Sequence, residues 1–540
     1  MSILDTRAGK APRMLVALGS LICMAAAWAR PPDTPQVTVG ANGIKQLRFD
    51  WDILPRSNYY ELWFKANNGA PEVKFSESVP WRPVALTNTS THLLDWDEVR
   101  YRVKACNPSG CGSSSLIAVK SVLPDTAGFL KSPFPLGDAR FGAIVKLSAD
   151  AQTLAIAAPD EANDRNTQYP EAAVYVFRRH GAAWQREAVL RPARRNIANG
   201  EGMSVSMSAD GNVIVLGMPN DVYDGASGAV HVFRRSGTTW TLEQKVGPAP
   251  GSGVAFYGGA ELSAAGDLLA VGRYDNDGGI DLYQHSAAGW SVSASIPGVN
   301  PAGGVDCPQL AFSGDGKAIA RACKVAGAPR VEVFAAPSWA RRDLIPIAFA
   351  AQDYVFSAIA LDATANTLVV GNQPNWDFPP ATTVFAPAVA IYRHTSGAYL
   401  RDAALTFGAW VSNTANRRSH FGDALAVSSD GNFVVIGDGV DDGAGHGVFK
   451  PPLSAGTVAT GAVYVYQHKP AGGWNLRRVV KPNFLAGGIE PAASFGAALA
   501  LDAGGNTLVV GHPAESTYIP NPANAQDEPN GSRSGAAWLY

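Results

Sequence analysis

The chain has 540 residues, room for two to four domains. Its formal net charge is −2 and only 17% of its residues are charged, so no broad basic field points to nucleic acid. Glycine (56) and proline (37) are plentiful and long amphipathic helical patterns are lacking, which argues for a turn-rich all-β protein. At the N-terminus, Arg7, Lys10 and Arg13 precede the apolar run Met14–Ala27, and Ala27-Trp28-Ala29 follows as an A-x-A cleavage pattern. The run is short for a bilayer span. Residues 1–29 are therefore expected to be a signal peptide cut after Ala29, with no membrane span left afterwards; the alternative is an uncleaved anchor. That places the mature protein outside the cytoplasm: secreted, periplasmic or at the cell surface. Cys23 does not make a lipoprotein signal, because Ile22 stands where a small residue is needed.

Export sets the reading of the other cysteines. Cys106 and Cys111 are close in sequence, and Cys307 and Cys323 flank a segment that folds about Asp315, between Gly314 and Gly316. A hairpin about that pivot brings the second pair face to face, so two local disulfides are expected. Residues 30–123 carry alternating strand-like runs, "QLRFDW", "YYELWFK" and "RYRVKAC", as a β-sandwich does. The strings "FDWDILPRSNYYELWF", with Trp51 as core tryptophan, and "YRVKACNPSGCGSSS" resemble a fibronectin type III domain. In that family the second string is strand, tight turn and strand. Val99 stands where the family often has its corner tyrosine. The resemblance implies a spacer or a binding module.

From residue 124 onward one pattern returns. Leu147, Met207, Leu262, Phe312, Leu361, Val427 and Leu501 each close an A strand, followed by a turn such as "SADG", "SGDG" or "SSDG". A small apolar B strand follows ("TLAIA", "VIVLG", "TLVVG"), then a C strand ("AVYVFRR", "IDLYQH", "AVYVYQH"). An aromatic opens each D strand: Trp184, Trp240, Trp290, Trp339, Tyr399 and Trp474. Four strands per unit, repeated, predict a β-propeller with seven blades. The last unit ends at Tyr540 without a D strand, while "GFLKSP", residues 128–133, resembles one. That N-terminal segment is expected to complete the last blade and close the ring, giving a propeller over 124–540.

Phe-Gly opens three units, at Phe141-Gly142, Phe421-Gly422 and Phe495-Gly496. With the strings that follow, these resemble FG-GAP repeats, the blades of the integrin α-subunit propeller. The other units depart there, with Glu201-Gly202, Phe256-Tyr257, Asp306-Cys307 and Val355-Phe356. The resemblance implies adhesion, and often calcium held in the first turn by a D-x-D-x-D-G-x-x-D pattern. Here most of those acids are missing, so Asp150, Asp210, Asp315 and Asp430 are expected to make turn hydrogen bonds instead. No cofactor is expected; calcium is the weak alternative, with Asp275–Asp281 ("DNDGGID") its nearest approach to a loop. His180, His285, His394 and His468 follow C strands in different units and read as solvent-exposed turn residues, too far apart to share a metal. No catalytic motif of the G-x-S-x-G, H-E-x-x-H or phosphate-loop kind occurs, which argues against an enzyme.

The connections between B and C strands are short in units three and four and long in units five, six, seven and one. Long loops on one face of a rigid scaffold often carry function. One binding patch is therefore expected there, with Trp376, Phe378, Tyr518 and Tyr169 as anchors and Asp441, Asp442, His446 and Glu515 as polar contacts. Aromatics beside carboxylates suit a protein or carbohydrate partner at the cell surface. The leading reading is a non-enzymatic recognition or adhesion protein. The alternative is a propeller-based polysaccharide lyase or hydrolase, and the bland reading is that the long loops are tolerated insertions.

Overall fold

The structure, a computed structural model, describes residues 30–78, 84–132, 139–161, 172–192, 202–224, 226–248, 257–273, 278–299, 305–347, 354–374, 388–406, 420–441, 443–450, 460–482, 494–515 and 534–540. The expected signal peptide lies outside them. Two compact units emerge. The first spans residues up to 123 except Gly43–Gln46 and Asn88–Trp96, which belong by their packing to the second unit with Pro124–Tyr540.

In the first unit, Val37–Ala41, Gln46–Trp51 and Val84–Asn88 form one antiparallel sheet. Val73–Ser78, Tyr59–Lys65, Arg100–Asn107 and Gly110–Ser113 form another, with Ile117–Ala118 added to Arg100–Asn107. Alternation puts Leu47, Phe49 and Trp51 on one buried face. Trp51 lies against Tyr60 at 5.1 Å, and Phe49 against Tyr101 at 4.9 Å. Val99, in the place of the corner tyrosine, is fully buried. Cys106 and Cys111 face each other across the hairpin and are bonded.

The second unit is built of seven antiparallel sheets, each in simple A-B-C-D order. Sheet one runs Ile144–Leu147, Thr153–Ala158, Ala173–His180 and Ala183–Leu190. Sheet two runs Ser204–Met207, Val213–Tyr223, Ala226–Ser236 and Thr239–Val246; sheet three Tyr257–Leu262, Leu268–Arg273, Ile280–Ser286 and Gly289–Ile296. Sheet four runs Val305–Phe312, Ala318–Val325, Ala328–Ala335 and Ala340–Pro346; sheet five Tyr354–Leu361, Thr367–Pro374, Ala388–Thr395 and Ala398–Thr406. Sheet six runs Leu425–Val427, Phe433–Asp438, Ala462–Lys469 and Gly473–Lys481. In sheet seven, Ala498–Leu501, Leu508–His512 and Ala536–Leu539 are joined by Gly128–Leu130, which pairs antiparallel with Ala537–Leu539. Phe129 meets Trp538 edge-on at 4.6 Å there.

The B strands are apolar on both faces because each is covered twice. Alternate residues of sheet one's B strand enter two clusters: Leu154 and Ile156 pack toward sheet seven, Ala155 and Ala157 toward sheet two. The A strand of each sheet packs on the A strand of the next, and the seventh returns to the first. Backbone bonds link the A–B turns along the same circuit. Ala149 N donates to Ala209 O (2.8 Å), Ala209 N to Ala264 O (2.8 Å) and Asp315 N to Ala363 O (2.7 Å). Ala363 N donates to Ser429 O (3.1 Å), Ser429 N to Ala503 O (3.0 Å) and Ala503 N to Ala149 O (3.1 Å), which ties the last turn to the first.

The recurrent Phe-Gly and the glycine ending each "VVG" have one steric cause. A Cβ on Gly511 would lie 2.1 Å from the carbonyl oxygen of Gly142 in the next sheet. The same approach recurs between Gly437 and Gly496, at 2.0 Å. Only glycine allows backbones of neighbouring sheets so close. The phenylalanine beside each is fully buried, and packs edge-on against an aromatic of its own C strand: Phe141 on Tyr175, Phe421 on Tyr464, Phe495 on Trp538.

Candidate functional site

The B–C connections leave their sheets through a repeated foot. In sheet six, the chain turns after Phe433–Asp438 so that Asp441 N donates to Asp438 O (3.3 Å). Asp441 then sits fully buried against Lys481 Nζ at 2.5 Å, with Tyr464 Oη donating to its other oxygen. Its own carbonyl accepts from Gly461 N (3.0 Å), where the chain re-enters the sheet. Burial pushes the Lys481 ammonium pKa down, against the opposing pull of Asp441.

Sheet seven repeats this. Glu515 N donates to His512 O (3.1 Å), Glu515 O accepts from Gly535 N (2.9 Å), and the carboxylate pairs with Lys131 at 2.6 Å. In sheet one, buried Glu161 takes hydrogen bonds from Tyr175 Oη and Ser132 Oγ and pairs with Arg191 at 2.6 Å. In sheet two, Asp221 meets His231 and Lys245, each at 2.7 Å. Burial works against ionisation of Asp221, but the bonds from His231 and Lys245 outweigh it and hold the carboxyl at about 2. Each foot thus combines an acid at or beyond the end of the B strand with a cation at the end of the D strand, and in sheets six, one and two a tyrosine or histidine on the C strand joins them. Sheets six, seven, one and two are consecutive around the circuit.

This placement revises two of the expected contacts. Asp441 (2% exposed) and Glu515 (4%) are not surface groups; Asp441 pairs with the buried Lys481 and Glu515 with the partly buried Lys131. His446 is exposed, just ahead of Gly447–Phe449. That short strand pairs with Val479–Lys481 and adds a fifth strand to the outer edge of sheet six, a fold of the long connection that the sequence reading missed. Trp376, Phe378, Tyr518, Tyr169 and Asp442 lie outside the described residues. In sheet two the B and C strands themselves extend into the connection, pairing as far as Tyr223 with Ala226.

The turn aspartates behave as the turn reading expects. Ser148 Oγ donates to Asp150, and the equivalents Ser208, Ser313 and Ser428 donate to Asp210, Asp315 and Asp430. Of the Asp275–Asp281 loop, Asp281 is described; it lies 3.6 Å from Arg273 and accepts from Ser295. Among the described residues, Glu61, Cys106 and Cys111 form a grouping of possible metal donors, but the two sulfurs are bonded to each other. Cys307 and Cys323 form the second disulfide.

The histidines need a correction. His285, His394 and His468 are partly covered at the outer junctions between sheets, and His180 is not their equivalent. By register Arg179, opposite Trp184, holds the position that His285 holds opposite Trp290. The junction logic is clearest between sheets one and two. Glu187 receives Arg235 (2.6 Å) and Trp240 Nε1 (2.9 Å) from the next sheet. Glu243 receives His285 (3.1 Å) and Trp290 Nε1 (3.0 Å) in the same way, and Asp402 receives Trp474 Nε1 (2.8 Å). His394 lies 3.8 Å from Asp343. A side chain that reaches its neighbour's acid is packed between sheets rather than left in solvent.

No known protein family matches the sequence, and no curated protein matches it. Solved structures do align with it. The β-propeller domain of Swd1 from Myceliophteria thermophila aligns at 11% identity over 77% of this chain and 99% of that one, TM-score 0.44. The periplasmic gluconolactonase of Pseudomonas aeruginosa aligns at 14% identity over 79% and 97%, TM-score 0.41. The Dos1 propeller aligns at 10% identity over 96% of both chains, TM-score 0.41. Of these three, one is named as a gluconolactonase and the other two as propellers.

Proposed function

We propose that the protein is a secreted or cell-envelope recognition protein that binds a protein or glycan through the long B–C connections of sheets five, six, seven and one. In this reading the seven sheets are the blades of an FG-GAP-type propeller closed by residues 128–133, and residues 30–123 are a fibronectin type III-like module. The observation that carries it is the pinned foot. A long connection held at both ends by backbone bonds, with a buried ion pair beneath, loses less entropy on binding than a free loop does. Both ends are bonded in this way in sheets six and seven, and in sheet one the buried Glu161–Arg191 pair stands at the equivalent place. Two disulfides fit an oxidising compartment, and no described helix is long and apolar enough to cross a membrane.

Trp376 and Tyr518 are the proposed anchors, with Phe378, Tyr169, Asp442 and His446 around them; Asp441 and Glu515 set the loops rather than touch the partner. Surface-proteome and glycan-array screens of the full chain identify the partner. Replacing Trp376 and Tyr518 together by alanine is expected to weaken that binding at least tenfold, about 1.4 kcal/mol or more. Unchanged affinity in a folded double variant would defeat the patch.

A further inference from the structure

Going round the circuit, the junction between sheets three and four lacks, among the described residues, the backbone bond that ties the A–B turns at the other junctions. Between sheets three and four, the rim positions of Glu243 and His285 are taken by Ser293 and Ala336, so the acid–cation contact cannot form. The gap in the turn-to-turn series falls at the same place: Ala209 N reaches Ala264 O, and among the described residues the series resumes only at Asp315 N. Apolar packing remains, with Ile280, Leu282 and Ile296 meeting Ile319 and Phe334. So does one buried arginine. Arg321 of sheet four donates to the carbonyls of Gly278 and Pro297 in sheet three.

Among the described residues the charge at this junction does not balance. Glu332, 1% exposed, binds Arg321 through one oxygen at 2.5 Å. Its other oxygen, Oε1, is approached by two guanidiniums at once, Arg341 at 3.0 Å and Arg330 at 3.4 Å. Among the described residues these two have no other acidic partner, and Arg330 Nε is buried with no hydrogen-bond acceptor. Elsewhere among the described residues a buried carboxylate meets one or two basic side chains. Here one carboxylate faces three, and two guanidiniums share a single oxygen. Arg341 is half exposed and Arg330 partly so, so an ion from solvent can reach both. Guanidinium forks bind oxyanions with paired, charge-assisted hydrogen bonds.

We propose that the junction between sheets three and four is an oxyanion site, in which Arg330 and Arg341, gathered on Glu332, take a carboxylate, sulfate or phosphate group. Bound there, the anion balances the excess charge at the junction that lacks the turn-to-turn bond. The site lies on sheets whose B–C connections are short, so its success or failure leaves the loop-face reading untouched. The group has two sources, a free inorganic ion or an acidic glycan, and the test separates them. Full-length protein is titrated by calorimetry with inorganic phosphate, sulfate and a galacturonate oligomer at low salt. Saturable binding of at least one probe is expected, weakening with added chloride. Binding of the oligomer alone identifies an acidic glycan; binding of the small ions identifies a free anion.

The variant Arg330→Gln with Arg341→Gln should weaken that binding roughly tenfold to a hundredfold, while Lys317→Gln, on the exposed A–B turn, leaves it unchanged. If the double variant does not fold, Arg341→Gln alone is used, and at least a severalfold loss is expected. A second readout separates ligand binding from scaffolding. Without added anion the Arg341→Gln melting temperature should equal or exceed that of the wild type, since a like-charge contact is relieved. With anion it should fall below it. No saturable binding of any probe, equal binding by the variant, or a lower melting temperature without anion would overturn the proposal.

Discussion

Sheets four and six solve the same problem in opposite ways. Both must carry the chain from B strand to C strand. In sheet four, Val325 pairs directly with Ala328, and Ala326 and Gly327 between them both take positive φ, +48° and +80°. That is the geometry of a tight primed hairpin turn, whose twist matches the strands it joins. In sheet six the strands end earlier, a long connection intervenes, and Asp441, Lys481 and Tyr464 close its foot. Where a connection is short, backbone geometry holds it. Under the long connection of sheet six, as under the extended hairpin of sheet two, the sequence places ionisable groups in the interior, an expensive arrangement that suits a connection held in one direction.

Breaking a foot should therefore cost more than breaking a hairpin. Asp441→Ala strands the Lys481 ammonium in a site with no exposure, and is expected to lower stability by about 3–5 kcal/mol, read from chemical denaturation. Asp441→Leu combined with Lys481→Met removes both charges and should recover most of the loss. If the recovered variant still fails to bind the partner of the loop face, the ion pair sets loop direction rather than net stability. An Asp441→Ala variant as stable as the wild type would show that the foot is not closed in solution.

Much of the scaffold is legible in the sequence because its causes are local. The turn string "SADG" recurs because Ser148, Ser208, Ser313 and Ser428 each anchor an aspartate in the same turn. The glycines recur because neighbouring backbones touch at Gly142 and Gly511. Cys307 and Cys323 are symmetric about their turn. The feet are harder to see. Their acid recurs at one distance from the start of the B strand, in "TLAIAAPDE", "VIVLGMPND", "FVVIGDGVD" and "TLVVGHPAE". Its cation comes from the far end of the sheet, and for Glu515 from Lys131, before the repeats begin. Hence Asp441 and Glu515 read as surface contacts: the acid is visible in sequence, its burial is not. The rim acids are hidden differently. Glu187 and Glu243 follow Trp184 and Trp240 at fixed spacing, but each serves the next sheet's tryptophan. His180 misleads because one residue of offset, invisible without register, separates it from Arg179's position.

The foot of sheet two sharpens the contrast through pH. Asp221, held near 2 by His231 and Lys245, has a folded pKa below its unfolded value of about 3.9. The unfolded state binds more protons between those values, so stability is fully present above pH 4 and is lost as pH falls toward 2. The difference is worth about 2 kcal/mol. Asp221→Asn should lower stability at neutral pH and flatten this part of the acid limb, measured as unfolding free energy against pH. An unchanged acid limb would mean that the carboxylate is not paired in the folded state.

The smallest effect belongs to the hairpin of sheet four. A methyl group on Gly327 meets nothing within 4 Å, so Gly327→Ala tests backbone conformation alone. At φ +80° the substituted residue sits in the left-handed region, which costs an L-residue roughly 1–2 kcal/mol. Gly327→Asn should cost less, because asparagine tolerates that region better. The loss should stay in sheet four: hydrogen exchange should speed up at Val325 and Ala328 while the amides around Asp441 remain protected. The comparison then becomes quantitative, a turn whose failure is local and modest against a foot whose failure exposes a buried charge. If Gly327→Ala destabilised the protein as much as Asp441→Ala does, the short and long connections would not differ in how they are held, and the inference that the long ones are deliberately aimed would lose its physical basis.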